Sequence, residues 1–143
     1  MTGKVVGYHP LIPEGEYLVR FTYYETGRAW KGSKAILHFA VVEGEYAGTP
    51  LTRYYNVRHV EPPLGRDGKF SVGDRCHLVK EFRSLLSESS AKSEIDLNLY
   101  RGWLIRACVG TTNQTGLGED LTKPNQYSVI RKLLEIVPES LSA

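Results

Sequence analysis

Glu16-Tyr17-Leu18-Val19-Arg20-Phe21-Thr22-Tyr23-Tyr24 and Ala35-Ile36-Leu37-His38-Phe39-Ala40-Val41-Val42 are the two stretches that decide the fold class. Both alternate. In the first, Tyr17, Val19, Phe21 and Tyr23 fall on one face and Leu18, Arg20, Thr22 and Tyr24 on the other. In the second, Leu37, Phe39 and Val41 oppose Ile36, His38, Ala40 and Val42. A period of two, carried by β-branched and aromatic side chains, marks strands with one buried face. Glu25 to Lys34 is polar and broken by Gly27 and Gly32, so it reads as the loop between them. Glu43-Gly44-Glu45-Tyr46-Ala47-Gly48 reads as a tight turn, since both glycines can take positive φ. Pro50 to Val57 makes a third strand, and the three form a meander.

Past this meander the pattern changes. Arg58 to Gly73 is a long connection with the turn markers Pro62-Pro63 and Asp67-Gly68. Asp74 suits an N-cap, and Leu78, Phe82, Leu85 and Leu86 recur at helical spacing beside Val79. The spacing predicts a helix from Arg75 to Leu86. Glu94, Asp96 and Asn98 alternate with Ile95, Leu97 and Leu99, which reads as a short extended piece. Trp103 to Val109 is a fourth strand, with Trp103, Ile105, Ala107 and Val109 opposite Leu104, Arg106 and Cys108. A second polar loop, Gly110 to Gln126, leads to a fifth strand from Tyr127 to Ile136.

The order is β-β-β-α-β-β, with long loops after strands one, three and four. The expected class is all-β with one helix, arranged as a five-stranded OB-fold barrel whose groove lies between the loops after strands one and four. An open sheet with one packed helix is the competing architecture. The 143 residues suit a single OB-fold domain, with 1–13 as a lead-in and 138–143 as a short tail.

Composition narrows the function classes. Hydrophobic residues make up 41% and charged residues 24%, an ordinary globular balance. The net charge of +2 excludes a globally cationic protein, so any nucleic-acid contact must come from local placement of Lys and Arg. The nine tyrosines suit strands and binding surfaces. Cys76 and Cys108 are too few for a disulfide framework, and Met1-Thr2-Gly3-Lys4 lacks a signal peptide's apolar run. The expected setting is a cytoplasm, of a bacterium or a phage-infected cell, with no membrane segment.

The strongest local signal is Arg28-Ala29-Trp30-Lys31-Gly32-Ser33-Lys34. Single-stranded nucleic acid requires cations to track phosphates and flat side chains for base stacking, and this segment supplies both. On strand three, Arg53, Tyr54 and Tyr55 add a cation and two rings, one of which must point outward. If Thr52, Tyr54 and Asn56 are outward, Tyr54 is the stacking platform. Arg20, Tyr24 and Arg106 lie opposite the expected core face, and Lys123 lies in the loop after strand four. The candidate nucleic-acid-binding set is Arg20, Tyr24, Arg28, Trp30, Lys31, Lys34, Arg53, Tyr54, Arg106 and Lys123.

Catalytic and metal-binding signals are thin. His9, His38, His59 and His77 are scattered, there is no CxxC motif, and Cys76 and His77 are helix neighbours whose side chains diverge. No phosphate-cradling glycine loop precedes the helix. The expectation is a non-enzyme without cofactor or metal.

The chain resembles the small OB-fold single-stranded DNA-binding proteins encoded by phages and mobile bacterial elements. The resemblance rests on Ile12-Pro13-Glu14-Gly15-Glu16-Tyr17, on Leu37-His38-Phe39-Ala40-Val41-Val42-Glu43-Gly44-Glu45-Tyr46-Ala47-Gly48, on Val109, and on Tyr127-Ser128-Val129-Ile130. It implies coating of single-stranded DNA during replication or recombination, through the cations and aromatics of the first strand-loop-strand unit. One departure is the end, Glu135-Ile136-Val137-Pro138-Glu139-Ser140-Leu141-Ser142-Ala143, which lacks the acidic tail such proteins use to recruit partners. A protein-interaction or assembly module on the same barrel, or RNA binding, is the alternative, and a homo-oligomer is compatible with exposed strand edges.

Overall fold

The computed structural model describes residues 10–29, 32–73, 75–86, 95–112 and 127–137. The described residues are mostly strand, and one large antiparallel sheet dominates. Its main path runs through β1 (Gly15–Ala29), β2 (Gly32–Val41), β3 (Pro50–Val57), β7 (Leu104–Thr112) and β8 (Tyr127–Val137). The strand order is β3-β2-β1-β7-β8. Three short strands occupy the connection after β3: β4 (His59–Val60), β5 (Gly65–Arg66) and β6 (Phe70–Ser71). β5 adds to the edge of β1, and β4 pairs with β6. Helix α1 (His77–Leu86) follows, then a 3-10 helix over Leu97–Gly102.

The alternation read in the sequence builds one interior. Val19 and Phe21 of β1, Leu37, Phe39 and Val41 of β2, and Leu51 and Tyr55 of β3 form its floor. Leu78, Phe82 and Leu85 close it from α1, and Ile105, Ala107, Val109, Ile130 and Leu133 close it from β7 and β8. Tyr100 sits at the centre, edge-on to Phe21 at 5.8 Å and stacked on Phe82 at 5.8 Å. The expected meander and fourth and fifth strands are present, with one α-helix among the described residues. The turn after β2 uses Gly44 and Gly48 at φ 82° and 90°, which an L side chain rarely adopts.

Four local readings require correction. Glu25 to Lys34 is not a loop: β1 and β2 continue in register to Ala29↔Gly32, with β3 still paired to β2 at Ser33 and Lys34, forming a long ribbon. Its backbone groups pair across the ribbon, and β5 adds to its β1 edge at Glu25 and Thr26, so Gly27 and Gly32 are accommodated within strands. The helix starts at His77, and Asp74 lies outside the described residues. The stretch around Asp96 and Asn98 is not extended: the Asp96 carboxylate accepts from the Asn98 backbone N–H and starts the 3-10 turn.

The fourth correction concerns β1. The register slips between Phe21 and Tyr23, making Thr22 a bulge. A bulge inserts one residue and reverses the facing of everything after it. Tyr17, Val19 and Phe21 face inward as read, but beyond the bulge Tyr24 and Thr26 face inward and Tyr23 and Glu25 outward. The bulge is held from outside the ladder: the Thr22 hydroxyl donates to the His38 carbonyl at 3.0 Å, and Arg101 donates to the Thr22 carbonyl at 2.7 Å.

β3 and β8 are the two ends of the hydrogen-bonded path. They approach one another, and α1 packs against both, but no strand ladder joins them. Side chains fill this seam instead. Glu81 accepts the Leu133 backbone N–H of β8 at 2.8 Å and takes the Arg53 guanidinium of β3 at 2.5 Å. On β3, the Tyr54 carbonyl accepts from Arg53 at 3.3 Å and the Asn56 carbonyl from the Cys76 thiol at 3.0 Å. Unpaired sheet edges are costly when buried, and here α1 and its neighbours satisfy one amide of β8 and two carbonyls of β3. Among the described residues no helix is long and apolar enough to cross a membrane.

Candidate nucleic-acid interface

The outer face of β1, β2 and β3 is set by the register. Tyr23 pairs with His38, which pairs with Thr52; Glu25 pairs with Ile36, which pairs with Tyr54; Lys34 pairs with Asn56, and Arg20 with Ala40. Side chains at paired positions share a face. This face therefore carries Arg20, Tyr23, Lys34, His38, Tyr54 and Asn56 in adjacent rows. Arg66, brought beside Glu25 by β5, places its guanidinium 4.6 Å from the Tyr23 ring centre.

Two groups of rings differ in their engagement. Tyr23 and His38 are stacked, 4.1 Å apart and 7° from parallel. The His38 Nε2 lies 3.4 Å from the Glu25 carboxylate. Burial and the Glu25 charge push the Tyr23 hydroxyl pKa up, against the pull of Arg66. It stays protonated and can donate. Tyr54 is half-buried and has no ring partner among the described residues. Lys34 is tied to the Asn56 side-chain oxygen on the same face.

The structure brings together Arg20, Lys34 and Tyr54 from the expected set. Others are placed differently. Tyr24 is not outward: the bulge turns it inward, where its hydroxyl donates to the Gly68 carbonyl at 3.0 Å and its ring meets Phe70 edge-on. Arg53 is not a surface cation: it sits between inward-facing Leu51 and Tyr55, 4.4 Å from the Tyr55 ring and bound to Glu81. Burial lowers its pKa, but the Glu81 hydrogen bond and the neighbouring charges outweigh that and raise it, so the guanidinium stays charged. Arg28 donates to the Val60 carbonyl at 3.2 Å. Arg106 lies on the outer side of β7, ion-paired to Glu135 at 3.0 Å. Trp30, Lys31 and Lys123 lie outside the described residues.

Sequence reading missed Tyr23, His38 and Arg66. The Thr22 bulge hid the first; a β5 pairing that spans some forty positions in the chain hid the last. It also missed a cleft of about 690 Å³ at the seam, between β3, α1 and β8. Arg53 and Glu81 line it, with His77 and Lys80 of α1 and Arg131 and Lys132 of β8. Among the described residues no group of His, Cys, Asp and Glu is placed to hold a metal ion. Both cysteines are free thiols. Comparison with family models, with curated proteins and with solved structures returns no match.

Proposed function

We propose that this protein binds single-stranded DNA without strong sequence preference, on the outer face of β1, β2 and β3, in the replication or recombination of a phage or mobile element. We further propose that the sheet is an OB-type barrel closed at β3 and β8 by side chains rather than by a ladder. The strand order β3-β2-β1-β7-β8, with α1 between β3 and β7 in the chain, supports that architecture.

The observation that carries the functional reading is Tyr54. It is an aromatic ring on the outer face with no ring partner among the described residues. It is flanked across the strands by Lys34, Asn56 and the Tyr23–His38 stack. An unpaired base stacking on such a ring gains about 1–3 kcal/mol, whatever its identity. Arg20, Lys34 and Arg66 lie in the rows where phosphates would run, and Trp30 and Lys31 sit in the chain between the two ribbon strands. Stacking plus phosphate contact gives affinity without base readout.

A gel-shift with single-stranded DNA, duplex DNA and RNA of one length, at two salt concentrations, tests this. Retention of single-stranded DNA that weakens with salt is the expected result. Equal retention of duplex, or no retention at low salt, contradicts it.

A further inference from the structure

The seam cleft is more strongly cationic than the outer face. Four basic residues line it besides Arg53: His77, Lys80, Arg131 and Lys132. Among the described residues its one carboxylate, Glu81, is already committed to Arg53 and to the Leu133 N–H. Lys80 and Lys132 have no carboxylate partner among the described residues. The Arg131 side chain lies over Gly110 of β7 and donates to the Thr111 carbonyl at 2.5 Å, away from the cleft. The excess of positive charge is local, since the whole chain carries only +2.

Size and lining then define the ligand. A volume of about 690 Å³ is well beyond what a lone inorganic anion fills, and it falls within the roughly 300–1,000 Å³ of small-molecule sites. The wall on the β3 side includes Tyr54, which also belongs to the outer face, so cleft and face are continuous. Tyr55 lines the cleft as well, with its hydroxyl buried beside Arg53 and Glu81.

We infer that this cleft binds the phosphate of a nucleotide through Lys80 and Lys132, with Arg53 and Glu81 as its floor. The nucleotide is either one unit of a strand lying on the outer face or a free mononucleotide. The strand form rests on the function proposed above; the free form does not. Arg53 has no freedom to serve as a primary contact because its guanidinium is consumed by Glu81. The exposed lysines contribute charge and reach, while the seam stays rigid beneath them.

The test combines two probes with two variants. Thymidine 5′-monophosphate and a twelve-residue oligo-dT are titrated into the ¹⁵N-labelled protein, following the backbone amides of Lys80, Lys132 and Leu133. The same titrations are run on Lys80→Ala/Lys132→Ala and on Tyr54→Ala. Both lysines are exposed, so the double variant is expected to keep its wild-type unfolding midpoint. If the cleft binds nucleotide phosphate, the monophosphate shifts these amides in wild type but not in the lysine variant. In the strand form, the lysine variant also loses roughly threefold in oligo-dT affinity per contact, and its log–log salt slope falls by about 0.7 per contact. Oligo-dT binding that Tyr54→Ala weakens and the lysine variant leaves unchanged, with no amide response to the monophosphate, overturns the cleft site and leaves the outer-face reading standing. A monophosphate response without oligo-dT binding keeps the cleft site and removes the strand reading.

Discussion

The Glu81 carboxylate accepts the backbone N–H of Leu133 at 2.8 Å, so a helix side chain occupies the place a neighbouring strand would take at the open edge of β8. Its other oxygen binds Arg53 of β3. One residue thus links both ends of the sheet. Replacing it by Ala strands a half-buried guanidinium and orphans a buried amide, at an expected cost of about 1–3 kcal/mol. Urea unfolding measures this. Replacing Arg53 and Glu81 together by Met is expected to be markedly less costly than Glu81→Ala, because no unpaired charge remains.

Alkaline stability follows from the two buried tyrosines. Burial, reinforced by the Glu81 charge, raises the pKa of Tyr55 well above its ordinary 10.0 and raises that of Tyr100 as well. Above about pH 10 the unfolded chain gives up protons that the native state retains, so their contribution is complete below that pH and is lost as pH climbs toward the native values. The unfolding temperature is expected to fall steeply from pH 10 upward. Tyr100→Phe is expected to flatten that fall, as scanning calorimetry across pH 8–11 would record.

The Thr22 bulge gives Tyr23 and Tyr24 opposite phenotypes. Tyr24→Ala removes an inward ring and its hydrogen bond to Gly68, and is expected to cost about 1–3 kcal/mol of stability. Tyr23→Ala acts on the outer face, and is expected to lower oligonucleotide affinity with a smaller loss of stability. Paired unfolding and binding curves check this. Reversed phenotypes would place the bulge elsewhere.

These neighbours illustrate what the sequence carries. Alternation from Tyr17 to Phe21 and from Leu37 to Val41 is a local steric property, and it was legible. A bulge leaves no mark on composition, so the same alternation misplaced Tyr23 and Tyr24. Arg53 read as a ligand cation because its partner, Glu81, lies 28 positions away on another element. The orientation of Tyr54 was legible only as one of two options, and the inward packing of Tyr55 and Leu51 selects it. The ribbon over 25–34 looked like a loop because its support comes from Gly65 and Arg66, far along the chain.

Gly68 marks how closely that support fits. A Cβ added there would stand 2.1 Å from the Thr26 hydroxyl oxygen and 3.1 Å from the Gly65 carbonyl. Thr26 is buried and exchanges hydrogen bonds with Gly65, so it has little room to yield. Gly68→Ala is expected to destabilise by about 1–3 kcal/mol. Hydrogen exchange is expected to show the loss first at the Thr26 and Gly65 amides.

The central claim is that the outer face stacks unpaired bases on Tyr54. Its most direct measurement is oligo-dT affinity for wild type and Tyr54→Ala at low and moderate salt. Wild type is expected to bind in a salt-sensitive manner, and Tyr54→Ala to bind about tenfold more weakly with an unchanged salt slope and an unfolding midpoint near wild type. Unchanged affinity in Tyr54→Ala, or no binding by the wild type at low salt, would contradict the claim.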